Sequence, residues 1–526
     1  MTPAFVRTRI GASAGTGAFG ARPISTSVRG DMSTESHRWF ARDELWIWAA
    51  LAGFAALATI LVRAAIADDA FIYLRFAENL ARGDGWAFNP GETIAGTTSP
   101  LFTALLALFH VVGVQGPAAL LVLFAAGLAA IAIVTFSALR SGGPVLAFAT
   151  ALVAITWPPL LRAVGLETSL LLAAAALAAL AFERQRLEWA GAFSGLCALA
   201  RPEGIAMLAA LVLLTVLRRD RRPGALIWPF LAVITPWLLF AWATFGSAIP
   251  HSVRVKSIQG SIEWWTQEGT WIATFARQIP GAPWIYVLLA LGIRRALRDA
   301  RSGRSFALVI SLFGASQVLG YAVLEAPPGY LWYYAPGNFA VVVLAACGIR
   351  ELDLATGKAS RRWRPPAEGS DAVSAWTGAR LAVLTCVAVG LYASVASGAL
   401  RATASRPFRL APEYQRAARW LAANGSPGDW VAANETGYIG YYSGLRVRDM
   451  LGLLHAESPE PLRRREWDWW FTGFPRPRFV VIHAGGWIGE PMTKRFAWPE
   501  ASLREFESTY ERRHVEGMVA IFERRR

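Results

Sequence analysis

From Leu45 to Asp69 the sequence reads LWIWAALAGFAALATILVRAAIADD. Up to Ile66 its one charged residue is Arg63, and an apolar stretch of about 20 residues is what crossing the roughly 30 Å hydrocarbon layer of a bilayer requires. Comparable runs recur, about a dozen of them before Arg401. After Leu45 to Ile66 come Ser99 to Val114, Pro117 to Leu139, Pro144 to Leu161, Thr168 to Phe182 and Ala190 to Ala200. Then follow Gly204 to Leu217, Ala225 to Phe245, Pro283 to Leu297, Phe306 to Leu324, Pro336 to Ile349 and Leu381 to Leu400. Several are only about 11 to 16 residues long, too short to cross untilted, so some are expected to be re-entrant or extended by interfacial aromatic residues. The fold class is therefore mainly α, a polytopic membrane helical bundle.

Composition points the same way. Of 526 residues 54% are hydrophobic and 17% charged, against about 25% charged in soluble domains, which argues against a soluble globular enzyme. A net charge of +15 would suggest nucleic acid on a soluble protein. On so apolar a chain it reflects basic cytoplasmic loops, and the bilayer, not nucleic acid, is the expected partner. Cys197, Cys347 and Cys386 each sit inside an apolar run, which leaves no disulfide framework. The six histidines show no HExxH pattern and the cysteines no CxxC, so the sequence offers no zinc site.

Basic clusters lie at Arg184/Arg186, at Arg218/Arg219/Arg221/Arg222, at Arg294/Arg295/Arg298/Arg301/Arg304 and from Arg350 to Arg364. If these and the Arg-bearing tail before Trp46 are cytoplasmic, segments 67–98, 246–280 and 325–335 and everything after 400 lie on the outer side of the membrane. That parity demands an odd number of crossings, about eleven, with the short 99–114 run the one expected not to cross. Residues 1–43, rich in Gly, Ser, Thr and Arg and without the apolar core of a cleavable signal, are expected to be a disordered basic cytoplasmic tail, with translation starting at Met1 or Met32. Residues 44–400 are then the transmembrane domain, with external loops 67–98 and 246–280. Residues 401–526 are a soluble, extracytoplasmic α/β domain, with a helix over Pro412 to Ala423 and strands over Trp430 to Ala433, Arg478 to His483 and Met518 to Phe522. No internal repeat is visible, which weighs against a transporter built from repeated halves.

Asp68 and Asp69 are expected to close the first membrane helix, where the dipole is negative and adjacent acids repel. One of them should then have a raised pKa and be able to accept a proton, while the other stays ionised to orient a hydroxyl or hold a cation. The alternative is that the pair only marks the water boundary. His251, Arg254 and Lys256 place three cationic side chains within six residues of an external segment, suited either to a singly esterified lipid phosphate or to lipid head groups. Arg201 and Glu203 interrupt an apolar stretch at Pro202, and Glu167 stands at another, as where a helix breaks against a cavity or is simply capped. Tyr330, Trp332, Tyr333 and Tyr334 could stack on a sugar or form an interfacial aromatic belt. Glu435, Tyr441, Tyr442 and Asp449 lie in a Gly-punctuated segment that could grip an acceptor or be a plain strand-turn-helix.

The block DDAFIYLRFAENLARGDGWAFNPGETIAGTTSPLFTALLAL, from Asp68 to Leu108, resembles the first periplasmic loop of the GT-C glycosyltransferases, which take a sugar from a polyprenyl-phosphate carrier. It is most similar to the branch containing the actinobacterial terminal arabinofuranosyltransferases. The resemblance continues through Gly165-Leu166-Glu167-Thr168, Ala200-Arg201-Pro202-Glu203-Gly204 and Ile249-Pro250-His251-Ser252-Val253-Arg254-Val255-Lys256. After the membrane part it resumes in Asn434-Glu435-Thr436-Gly437-Tyr438-Ile439-Gly440-Tyr441-Tyr442-Ser443-Gly444 and Asp449-Met450-Leu451-Gly452-Leu453. It implies a GT-C type bundle in which Asp68 and Asp69 take the catalytic acidic position. Within such a site the cations His251, Arg254 and Lys256 are expected to hold the donor phosphate, and Arg75, Glu92, Glu167, Arg201, Glu203, Tyr333, Tyr334, Glu435, Tyr441 and Tyr442 to bind substrate. The implied partners are a polyprenyl-phosphate sugar, with arabinofuranosyl expected, and an extracytoplasmic cell-wall or lipid-linked glycan. The one candidate cofactor is a divalent cation at the Asp68/Asp69 pair. The rival reading is a lipid-linked sugar flippase or transporter without transferase activity.

Overall fold

The computed structural model describes residues 44–220, 222–260, 270–279, 283–324, 329–363, 370–405, 408, 410–483 and 498–526. The expected tail over 1–43 lies outside the described residues.

Helix α1 (Leu45–Val62) continues as a 3-10 turn to Ala65 and delivers the chain to α2 (Asp68–Arg82). Ala67 is extended, with φ −75° and ψ 159°, and separates the two helices. The acid pair therefore opens a helix and does not close one. At a helix N-terminus the dipole favours carboxylates where a C-terminus would have opposed them. The expected loop 67–98 is thus a 15-residue helix followed by a short folded segment with an Ala87–Thr93 bridge. Helix α2 ends at Gly83, whose φ of 87° suits a residue without Cβ.

Helix α3 (Pro100–Val111) starts with Pro100 at its first position and Ser99 as its cap, the Ser99 Oγ accepting from Phe102 N at 3.2 Å. Ser99 Oγ also donates to Leu199 O at 3.4 Å, near the end of a later helix. Beyond α3, Gly116 opens α4 (Pro117–Leu139) so close to the C-terminal domain that a Cβ there would sit 2.8 Å from the Tyr441 hydroxyl. Helices α2 and α3 therefore occupy the bundle end that carries that domain.

The bundle continues with α5 (Pro144–Thr156), α6 (Thr168–Glu183), α7 (Leu187–Ala200), α8 (Ile205–Leu217) and α9 (Gly224–Phe245). It is completed by α10 (His251–Gly260), α11 (Trp271–Gln278), α12 (Pro283–Arg301), α13 (Phe306–Val323), α14 (Ala335–Trp363) and α15 (Ser370–Ser405). Gly191 and Gly195, one turn apart on α7, let α9 approach at backbone distance. A Cβ at Gly191 would fall 2.1 Å from Leu226 O, the small-residue packing common between membrane helices. Among the described residues four stretches are long and apolar enough to cross a bilayer: Leu45–Ala65, Pro117–Gly142, Gly224–Phe245 and Phe306–Val323. Shorter apolar helices such as Thr168–Glu183 and Leu187–Ala200 fill the space between them, as a multi-pass membrane protein requires. The basic stretch from Arg350 was expected to be a loop, but α14 runs on to Trp363. Its buried Glu351 is ion-paired with Arg298 and with Arg294 at 3.4 Å, which closes a helix-helix contact with α12, while Asp353 pairs with Arg350 at 3.1 Å within α14.

After α15 comes a smaller α/β fold: α16 (Ala411–Asn424), β1 (Trp430–Ala433), α17 (Thr436–Ser443), β2 (Arg446–Asp449), β3 (Phe479–His483), α18 (Glu500–Thr509), β4 (Tyr510–Glu516) and β5 (Val519–Arg524). The sheet order is β2-β1-β3-β5-β4. The first three strands are parallel, with Ala433 opposite Asp449 and Val431 opposite Phe479, while β5 runs antiparallel to both β3 and β4. Central β3 reads FVVIH and is buried at every position, as a strand covered on both faces must be. Trp469, Trp470, Phe471, Trp498, Phe506 and Tyr510 fill the core beside it.

Candidate active site

Helix α17 lies on α2 and is held at both ends. Asp68 Oδ2 accepts from Gly437 N at 2.9 Å and Oδ1 from Tyr438 N at 2.6 Å, while the Tyr438 hydroxyl donates to Ile66 O at 2.6 Å. At the other end the Arg75 guanidinium donates to Gly440 O, to Leu445 O at 2.8 Å and to Phe88 O at 2.8 Å. A carboxylate at the N-terminus and a guanidinium at the C-terminus match the dipole of α17. Gly437 is obligatory, since a Cβ there would lie 2.0 Å from Asp68 O. One step away Asn89 pairs with both backbone groups of Val447, and Glu92 with Arg446 at 2.6 Å. Burial, with the nearby Glu435 charge, pushes the Asp68 carboxyl well above the usual carboxylate range, against the pull of the two N–H donors. Asp68, Arg75 and Glu92 are thus the seat on which the soluble domain docks.

Asp69 turns the other way, into a cavity with about 460 Å³ of empty space that is also lined by Tyr73, Thr97, Thr98, Glu167, Arg201, Ser252, Lys256, Trp332 and, from the soluble domain, Leu453. The Lys256 ammonium lies 3.9 Å from Asp69 Oδ2, donates to the Tyr333 hydroxyl at 3.3 Å and sits 5.0 Å over the Tyr330 ring. Burial works against its charge, but the Tyr333 oxygen and the Asp69 carboxylate outweigh burial and hold its pKa above the ordinary lysine value. Arg201 is saturated differently: it pairs with Glu167 and Glu203, donates to the Tyr321 hydroxyl at 3.1 Å and lies 4.5 Å over Tyr333. Tyr333 stacks on Tyr321 at 4.8 Å and 10°, so one aromatic pair supports both cations. Two carboxylates already neutralise Arg201, whereas Lys256 is opposed by one half-exposed carboxylate and is the cation placed to meet an incoming anion.

The structure separates the remaining sequence candidates. His251 Nε2 lies 3.2 Å from Gly452 O, and its backbone N–H donates to Ala95 O at 2.9 Å. Burial lowers its pKa, and its contact with Gly452 pins α10 to the soluble domain, outside the lining of the Asp69 cavity. Arg254 is exposed on the outer side of α10. Of these three, Lys256 faces the cavity. Tyr334 is fully buried and stacks on Trp271 at 3.9 Å, supporting Tyr333 from behind. Glu435 stands at the cap position of α17, and Tyr441 and Tyr442 pack on Phe71 at 5.6 and 5.3 Å inside the α2–α17 junction. The acid pair does not converge on a point, because both Asp68 oxygens accept backbone N–H groups and Lys256 faces Asp69. It does not fit a hard divalent cation, and among the described residues no group of three or more His, Cys, Asp or Glu side chains could hold a metal ion. The cavity adds Tyr73, Ser252 and Leu453 to the sequence candidates, and Tyr321 joins them through Arg201 and Glu203. Ser252 Oγ is buried there with no hydrogen-bond partner among the described residues. Thr97 and Thr98 were already inside the quoted block, whereas Tyr321 sits in an apolar run that carries no local signal.

Residues 406–521 match a family model described as a domain of unknown function, DUF8728. Over 269 residues the chain is 29% identical to the terminal beta-(1->2)-arabinofuranosyltransferase of Mycobacterium tuberculosis (strain ATCC 25618 / H37Rv), a match spanning 46% of this chain and 42% of that protein. Among solved structures, ArnT from Cupriavidus metallidurans bound to undecaprenyl phosphate superposes with a TM-score of 0.58 at 13% identity, over 92% of this chain and 98% of that one. The Archaeoglobus fulgidus oligosaccharyltransferase gives 0.53 at 13% identity, over 90% and 73%. The mycobacterial arabinofuranosyltransferase AftD gives 0.50 at 14% identity, over 92% of this chain and 40% of that one. The chain therefore has the GT-C glycosyltransferase fold, and its sequence similarity falls on the terminal arabinofuranosyltransferase branch.

Proposed function

We propose that this protein transfers a sugar, arabinofuranosyl by its similarity, from a polyprenyl-phosphate donor to a glycan on the outer face of a bacterial plasma membrane, using about eleven crossings. The observation that carries the reading is the meeting of Asp69 and Lys256, 3.9 Å apart, in a cavity at the end of the bundle beneath the docked domain. In the reaction the acceptor hydroxyl oxygen attacks the anomeric carbon, and the bond from that carbon to the phosphate oxygen breaks. The bonding electron pair leaves with the lipid phosphate, and the hydroxyl proton passes to Asp69. Lys256 turns from Asp69 to the departing phosphate, where a charge-assisted contact strengthens as negative charge develops. The Arg201–Glu167–Glu203–Tyr321 network fixes the Tyr333 ring on which Lys256 rests. Asp68 acts through position: it seats α17 and thereby Leu453, which closes one side of the cavity. Purified protein incubated with a panel of polyprenyl-phosphate sugars and an arabinan acceptor tests the assignment. A glycosidic product with one donor supports it, and no product with any donor overturns it.

A further inference from the structure

Helix α6 carries Glu167 into the Asp69 cavity from just before its first turn and ends at Glu183 after 16 residues, about 24 Å away. At that far end a second crevice opens between α5, α12, α14 and α15. Its upper part, about 650 Å³ of empty space, is walled by apolar side chains including Val153, Trp157, Leu288, Val342 and Val389. Val287 and Val383 beside it are 61% and 62% exposed, a flank suited to hydrocarbon and not to water. Leu146 and Ala346 line this space and also a second one of about 580 Å³, where Arg295, Arg304 and Arg350 gather with Glu183 and Asp299. The two spaces are one crevice, apolar along the bilayer and cationic at its end.

The acids there are committed. Asp299 serves both Arg295 and Arg304, at 2.9 and 2.8 Å, and Glu183 accepts from Phe306 N at 2.8 Å. Arg295 also reaches Glu351 at 3.8 Å. Arg350 bonds Asp353 through Nη1 at 3.1 Å, while its Nε is buried with no hydrogen-bond partner among the described residues. Arginine forks match phosphate oxygens two at a time, and basic pockets between membrane helices suit anionic head groups.

We propose that this crevice binds an anionic phospholipid, its acyl chains between α5, α12, α14 and α15 and its phosphate at Arg295, Arg304 and Arg350. The proposal is independent of the transferase reading, because this phosphate lies at the bundle end opposite Asp69 and Lys256. The full chain, stripped of lipid in detergent and titrated with dioleoylphosphatidylglycerol or dioleoylphosphatidylcholine, is read by native mass spectrometry. One phosphatidylglycerol per chain is retained where phosphatidylcholine is not, and Arg350→Gln weakens retention about tenfold. Arg304→Gln, a half-exposed position whose replacement leaves the fold intact, weakens it likewise, and Ala346→Leu narrows the shared wall and lowers it further. Equal retention of the two lipids, or unchanged retention in Arg304→Gln, overturns the proposal. Displacement of the bound phosphatidylglycerol by decaprenyl phosphate overturns it too, since the crevice would then belong to a polyprenyl tail.

Discussion

Replacing Asp68 and Asp69 by asparagine one at a time separates a docking carboxylate from a reacting one. Asp68 is 5% exposed and both its oxygens accept backbone N–H groups of α17. Asparagine keeps one acceptor and turns an amide toward the other N–H, which loses a charge-assisted bond of roughly 1.5–3 kcal/mol and leaves a buried donor unpaired at about 1–3 kcal/mol. Part of this is returned because the variant no longer buries a charge, so the net is about 2–3 kcal/mol, a fall of a few degrees in Tm for a chain this long. Asp69 makes no comparable bond. Its contact with Lys256 is 3.9 Å long with the carboxylate side chain 34% exposed, and such pairs are worth about 0–1 kcal/mol. Asp69→Asn should therefore melt like the native chain and lose two or more orders of magnitude in kcat, on the scale of about 100-fold or more for a missing general base. Asp68→Asn should melt lower, show faster hydrogen exchange at Gly437 and Tyr438, and keep kcat within about tenfold at temperatures where it is folded. Differential scanning fluorimetry, exchange mass spectrometry and the transfer assay read the three quantities. An Asp68→Asn protein with native Tm and no turnover, beside an active Asp69→Asn, would refute this division of roles.

Lys256→Met is expected to lower kcat/KM for the donor by something on the order of 2 kcal/mol, with acceptor KM nearly unchanged; separate titration of donor and acceptor checks it. Burial pushes the Asp449 carboxyl to about 7, above its unfolded value of about 3.9. The native state therefore holds its proton longer, and this group's contribution to stability falls as pH rises from about 4 to about 7, then levels off. Neighbouring His455, lowered to about 3 chiefly by burial, contributes the opposite slope up to its unfolded value of about 6.5, so Asp449→Asn should make Tm rise more steeply between about pH 4 and 6.5 in a Tm-against-pH series. Cysteines placed at Gly83 and Ser426, both exposed, should each react with an impermeant reagent in intact cells lacking the native cysteines; labelling of either only after lysis would reverse the orientation.

The bundle was legible from the apolar runs because a bilayer imposes a length on them, and Trp430–Ala433 stands where the sequence placed a strand because a short apolar run is bounded there by the turn residues Gly425 to Asp429 and by Asn434. The helix borne by the acid pair was misread for a physical reason. Ala67 and Asp68 look alike at the end of one helix and at the start of the next, and it takes the backbone angles of Ala67 to distinguish them. Adjacent residues one hundred degrees apart on α2 then face different partners, so the separation of Asp68 from Asp69 follows once the helix is known. His251 and Lys256, five apart on α10, diverge by the same rule. Tyr321 was invisible because an isolated tyrosine in an apolar run acquires meaning only through Arg201 and Glu203, more than a hundred residues earlier in sequence.

The most direct test reconstitutes the protein in liposomes with a polyprenyl-phosphate arabinofuranose labelled in the sugar and a soluble arabinan acceptor on the side of Gly83. The account predicts that labelled sugar appears in a new glycosidic bond on the acceptor as polyprenyl phosphate accumulates in equal amount, and that Asp69→Asn abolishes both. Movement of the intact labelled lipid from one leaflet to the other, with the sugar–phosphate bond unbroken and no labelled acceptor, would contradict it and identify a transporter.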